Sequence, residues 1–166
     1  MELDELRAAV ADGSVDTVLL AIADMEGRLQ GKRLTAQHFL GEILENGSEG
    51  CSYLLTVDPD MTTVGGYEMT SWDKGYGDFE MTPDLSTLRP VPWHEATVMV
   101  MADANWHGDD PVVASPRQIL KRQLDRLQAR GLIANAATEL ETSVIKNTNE
   151  HARRKGVRGL EQANFY

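Results

Sequence analysis

Residues 18–23 form an uninterrupted apolar run, VLLAIA, flanked by polar residues. A run of this length bounded by turn signals reads as a buried strand. It also constrains its neighbours, because a buried strand needs pairing partners and a covering layer. Met25, Glu26 and Gly27 supply turn chemistry, and residues 28–34 can return as a second strand. Upstream, Leu3, Leu6 and Val10 fall near helical spacing and Gly13 follows as a stop, which predicts a short amphipathic helix over 2–12. Downstream, Thr35 is an N-cap for a helix with the apolar stripe Phe39, Leu40, Ile43 and Leu44, ending at Asn46 and Gly47.

Residues 52–57 read as another strand. Residues 58–78, with Pro59, Gly65, Gly66, Gly75 and Gly77, read as a long loop, and Tyr67, Trp72 and Tyr76 argue that it is ordered. A short strand is expected over 78–82 before Pro83, a clear one over 97–102, a turn over 105–110 and a possible return at 112–113. Ser115 and Gln118 have the spacing of a capping box, Pro116 stands at the first helical position, and Leu120, Leu124 and Leu127 line one face before Gly131. A strand from 133 to about 145 should follow. This order predicts an α+β fold: a small domain, then the opening of a second.

The 42% hydrophobic content is sufficient for a core. The net charge of −10 argues against nucleic-acid binding; the most basic stretch, Arg153, Arg154, Lys155 and Arg158, reads as a solvated helix end. The single cysteine, Cys51, has no disulfide partner within the chain, and no Cys/His cluster points to zinc. The acidic N-terminus lacks the order of a signal peptide, and no apolar run is long enough to span a membrane. A cytoplasmic setting is the expectation.

Glu139-Leu140-Glu141 is the sharpest chemical feature. On a strand, these two carboxylates would face the same side. They are then either a solvent-facing strand edge or ligands for a hard divalent cation. Asp58, Asp60, Asp73 and Asp78 make the long loop acidic, from ordinary turn chemistry or as a cation or amine site. His38, His94, His107 and His151 show no metal-ligand spacing, and there is no Walker-type loop, GxGxxG or GxSxG.

Three segments together resemble the glutamine synthetase family. Residues 81–93 (MTPDLSTLRPVPW) resemble its Pro-Asp-x-Ser-Thr segment. Residues 114–122 (ASPRQILKR) resemble the Pro-Arg helix that opens its catalytic domain, and residues 138–141 (TELE) its Glu-x-Glu strand. Residues 71–78 (SWDKGYGD) and 30–33 (QGKR) look more like the glutamate–amine ligase branch, which makes γ-glutamyl-polyamines and related amides. The resemblance implies an N-terminal helix over 1–14, a β-grasp domain over 15–112 and the incomplete start of a catalytic domain over 113–166. It implies an ATP-dependent ligase that joins glutamate to ammonia or another amine through a γ-glutamyl phosphate, with Mg2+ or Mn2+. Glu139 and Glu141 would each hold one metal. Asp60 and Thr63 would lie on a loop inserted into a neighbouring subunit's site in a homo-oligomeric ring, helping to bind and deprotonate the amine.

Two features depart from the family. Thr142 and Ser143 stand where an apolar strand normally continues. The family's other metal, ATP and glutamate residues have no counterpart here, so the isolated chain is expected to be inactive. A stand-alone β-grasp module, or a pseudoenzyme fragment that modulates full-length rings, is the alternative.

Overall fold

The computed structural model describes residues 1–108 and 110–164. The chain divides into two compact units, Met1–Leu132 and Ile133–Tyr166. The first is built on one mixed sheet. Helix α1 (Leu3–Ala11) leads into β1 (Thr17–Ala23) and β2 (Leu29–Thr35). A helical segment, α2, follows: Ala36–His38, a π-helical turn Phe39–Ile43, and Leu44–Asn46. Next come β3 (Ser48–Cys51), β4 (Asp78–Pro90), β5 (Thr97–Trp106), the short β6 (Asp110–Pro111) and helix α3 (Pro116–Gln128). The strand order is β2-β1-β5-β4-β3, with β6 paired to β5. β1 and β5 run parallel at the centre, and the other pairs are antiparallel.

The parallel pair explains the unbroken apolar run. Alternate residues of a strand face opposite sides. Val18, Leu20 and Ile22 join Val98, Val100, Ala102 and Ala104 in the main core with Phe39, Phe79, Met81 and Leu6. Leu19 and Ala21 turn the other way, to a smaller cluster with Val91, Met99 and Met101. A strand with apolar neighbours on both faces has no polar face to display.

Several expectations are corrected. Residues 52–57 are not a strand: the strand is Ser48–Cys51, and Ser52–Leu55 is a 3-10 turn. Ser52 and Thr56 are buried, and their hydroxyls donate to Thr70 Oγ1 (3.1 Å) and the Tyr53 carbonyl (3.1 Å), so this segment is held by side-chain bonds rather than a ladder. β4 does not stop before Pro83 but continues to Pro90. β3 pairs only with residues 78–81, so the later part of β4 is a sheet edge, where proline is tolerated.

The register between β4 and β5 shifts between Asp84 and Arg89. There the Asp84 carboxylate accepts from the Ser86 amide (3.2 Å) and hydroxyl (2.6 Å). Thr87 donates to the Asp84 carbonyl (2.7 Å) and accepts from the Met101 amide (2.8 Å). The Pro-Asp-x-Ser-Thr segment is therefore a bulge whose side chains replace missing ladder bonds.

α3 has Pro116 at its start, but Ser115 makes no side-chain cap, so no capping box forms; Gln118 instead donates to Asn105 Oδ1 (3.4 Å). The face expected from Leu120, Leu124 and Leu127 is not the one turned to the sheet. Leu120 and Leu124 are exposed, whereas Arg117 and Lys121 bind Asp103 of β5. Arg117 Nη2 also reaches Asp84 Oδ2 at 2.5 Å, joining two of the family-like segments in one ion cluster.

The second unit holds a helix, α4 (Asn149–Lys155), whose Thr148 cap accepts from the His151 amide at 3.2 Å. An Ile145–Gln162 bridge closes it. The strand expected over 133–145 is absent: this stretch is without regular structure up to that bridge. A strand requires a neighbour to take its backbone bonds, and among the described residues these begin only at the bridge, where the Val144 carbonyl accepts from the Ala163 amide (2.8 Å). No helix among the described residues is long and apolar enough to cross a membrane.

Candidate functional site

The 58–78 loop is ordered at both ends. The Ser52 amide donates to the Gly77 carbonyl (2.8 Å), and Tyr76 packs edge-on against Tyr53 and Trp72 with centroid separations of 6.0 and 4.8 Å. Its first part folds into a tight hairpin. Val57 bridges Thr63, the Asp58 amide donates to the Thr62 carbonyl (2.9 Å), and the Met61 amide donates to the Asp58 carbonyl (3.0 Å). Asp58 Oδ1 accepts from the Asp60 and Thr62 amides at 3.0 and 2.8 Å. Asp in this turn satisfies the backbone two and four residues on, which is the local chemistry that bends the chain. Met61 takes a positive φ of 65°, a conformation that L side chains adopt at a cost. Asp60 stands exposed at the tip, and Thr63 is half-buried on the returning arm.

The β1–β2 turn supports this hairpin. Asp24 directly follows β1 and is buried, with 1% exposure. Its Oδ1 accepts from the Glu26 and Arg28 amides (both 2.9 Å), and its Oδ2 from Arg28 Nε (2.8 Å) and Gln30 Nε2 (3.1 Å). Burial pushes the Asp24 carboxyl upward. The bonds from Gln30, the Arg28 amide and side chain, and the Glu26 amide together outweigh it and hold the pKa below 3.8. Arg28 then reaches across to the loop, donating from Nη1 to the Pro59 carbonyl (2.7 Å) and from Nη2 to the Asp58 carbonyl (3.0 Å). Neither Asp24 nor Arg28 was singled out by sequence reasoning. The available signal was an acid ending a buried apolar run, four residues before an arginine and beside a turn glycine.

Glu139 and Glu141 lie in the second unit, both exposed, on a segment without regular structure. Among the described residues no group of three or more His, Cys, Asp or Glu is placed to hold a metal ion. Two carboxylates supply the hard oxygen donors that Mg2+ or Mn2+ prefers, but fewer than the roughly six oxygens such an ion takes. These residues do not by themselves make a complete metal site.

A mixed α+β sheet with an ordered acidic loop frames the comparisons. No family model matches the chain. It is 57% identical over 164 residues to the gamma-glutamylethanolamide synthetase GlnA4 of Streptomyces coelicolor, covering 99% of this chain and 36% of that protein. It is 32% identical over 144 residues to the glutamate–isopropylamine ligase of a Pseudomonas species, covering 87% of this chain and 31% of that protein. Among solved structures, GmaS in complex with ADP aligns with a TM-score of 0.59 at 17% identity, over 90% of this chain and 35% of that one; this supports the fold. The chain is thus strongly homologous, over nearly its whole length, to gamma-glutamyl-amine ligases. It spans about a third of the length of these relatives.

Proposed function

We propose that this chain is the N-terminal part of a cytoplasmic glutamate–amine ligase. Residues 15–112 are read as the β-grasp domain and residues 113–166 as the start of the catalytic domain. The observation that carries the reading is the 57% identity, over nearly the whole chain, to a gamma-glutamylethanolamide synthetase. The reaction proposed is ATP-dependent activation of glutamate's side-chain carboxylate as an acyl phosphate, followed by amide formation. Asp60 takes a proton from the ammonium form of the amine, and the Thr63 hydroxyl orients the amine. The freed lone pair attacks the acyl carbon, the C–N bond forms, and phosphate leaves with the electrons of the broken C–O bond and takes up the second N–H proton, leaving the neutral amide. The exposed tip suits Asp60 to act in a neighbouring subunit of a homo-oligomeric ring. Bound Mg2+ or Mn2+ would neutralise phosphoryl charge, with Glu139 and Glu141 contributing one ligand each and the remaining ligands coming from outside the described residues. The isolated chain is proposed to be inactive, because two carboxylates do not hold such an ion.

The test uses a ligase of the relatives' full length that carries these residues. With ATP, Mg2+ and glutamate, ethanolamine should trigger phosphate release matched by amide formation. Glu141→Ala should abolish both while leaving the thermal transition unchanged, since the side chain is exposed. Normal turnover in that variant would sink the metal assignment, and no amine-dependent turnover in the parent would sink the ligase reading.

A further inference from the structure

We propose that Arg28 is a positioning residue that fixes the tip carrying Asp60, and that buried Asp24 holds Arg28 in the orientation this requires. The functional half of the inference rests on the reading of Asp60 as the amine-binding carboxylate. The clamp itself rests on hydrogen bonds.

The guanidinium uses three nitrogens on three separate acceptors: Asp24 Oδ2, the Pro59 carbonyl and the Asp58 carbonyl. The Pro59 carbonyl belongs to the peptide unit that leads into Asp60. Arg28 holds that unit by its oxygen, and Asp58 Oδ1 holds it by its N–H. A peptide plane fixed at both ends fixes the axis about which the Asp60 Cα–Cβ bond swings, because each residue has only two soft backbone dihedrals. The next residue, Met61, is in the left-handed region, which surrounding contacts must impose. Gln30 provides one more, with Nε2 shared between Asp24 Oδ2 and Met61 Sδ (3.2 Å). Asp24 is therefore the common anchor of both side chains that reach the tip. With its Oδ1 taken by two backbone amides, its Oδ2 is aimed at them.

A lysine does not substitute for this arrangement. Its single ammonium can stay opposite Asp24, but it lacks the planar fork that serves a carboxylate and two carbonyls at once. Releasing the tip should act on the amine and not on ATP or glutamate, since the hairpin carries Asp60 and Thr63, the two residues proposed to handle the amine.

The experiment compares Arg28→Gln and Arg28→Lys with the parent. In this chain, amide hydrogen exchange at Met61 and Thr62 should quicken about tenfold or more in both variants, while the β1 amides keep their protection. In the full-length ligase, the KM for ethanolamine should rise about tenfold or more, with KM for ATP and glutamate held within about twofold, and lysine should not rescue. Unchanged exchange at the tip overturns the clamp, as does loss of β1 protection in both variants, which would make the role one of global stability. Equal rises in all three KM values overturn the positioning of Asp60. If the parent ligase shows no amine-dependent turnover, the ligase reading fails, and the exchange result alone still decides the clamp.

Discussion

Gly31 sits at the middle of the β1–β2 ladder, opposite Ala21, and two effects of Gly31→Ala oppose each other there. An alanine lowers the entropy of the unfolded chain, which on its own stabilises by about 0.4–1 kcal/mol. The new Cβ, however, would lie 1.9 Å from the Leu20 carbonyl oxygen and 2.9 Å from the Ala21 Cα. Carbon and oxygen rest no closer than about 3.3 Å, so β2 must retreat by more than 1 Å or twist away. The atoms in the way are backbone and cannot swing aside as a side chain would. Ladder bonds flanking the pair stretch beyond the range in which they count as bonds, and losing two or three at about 1 kcal/mol each outweighs the entropic gain. The expected net effect is a loss of about 1–3 kcal/mol. Urea unfolding of the chain followed by circular dichroism would read it as a lower midpoint at unchanged slope. Gly41→Ala is the control: nothing lies within 4 Å of its Cβ, and helix propensity alone predicts a gain of about 0.5–1 kcal/mol. A Gly31→Ala midpoint equal to or above the parent's would refute the steric argument.

Two further perturbations probe the anchors of the sheet. Arg117→Gln leaves Asp84 and Asp103 without the guanidinium between them and should cost about 1–3 kcal/mol in thermal unfolding; an unchanged midpoint would show that the cluster only decorates the surface. The Asp84 carboxyl is held below 3.8, first by the Ser86 hydroxyl, against the opposing effect of burial, with Arg117 and the Ser86 amide assisting; Asp24 is held low as well. Because the folded state depresses both, their stabilisation is complete above 3.8 and drains away as pH falls below it through the folded-state values. Urea midpoints measured down that acid limb should fall, and Asp24→Asn should flatten part of the fall; a slope identical to the parent's would count against Asp24.

The legible parts of the fold were those fixed by short-range chemistry. Residues 18–23 announced a strand because both of its faces are apolar, and Thr35 announced a helix start because its hydroxyl does accept from the His38 amide (3.3 Å). Readings failed where distant partners decide. The 52–57 stretch looks like a strand until Thr70 and Gly77 are seen to claim Ser52. The leucines of α3 suggested a core face, yet Asp84 and Asp103, on strands far back in the chain, draw Arg117 and Lys121 inward instead. At the candidate site, the acidic loop and its tip residues were visible in the sequence as a Gly-flanked loop. The Arg28 clamp was not, because its carbonyl acceptors lie some 30 positions away and carry no side-chain signature.

The parallel pairing of β1 with β5 joins Thr17 to Thr97 and Met101 to Ala21, so the sheet's centre closes only when the far end of this unit exists. During synthesis the β1–β2 hairpin leaves the ribosome long before its partner. At roughly 5–20 residues per second it waits several seconds with its apolar faces uncovered. A two-stranded hairpin is marginal in water, so this interval is one in which nascent chains can meet each other before they meet themselves. Crowding on one message, or a slow codon stretch between β2 and β5, would therefore set the yield of native protein without altering a single contact in it.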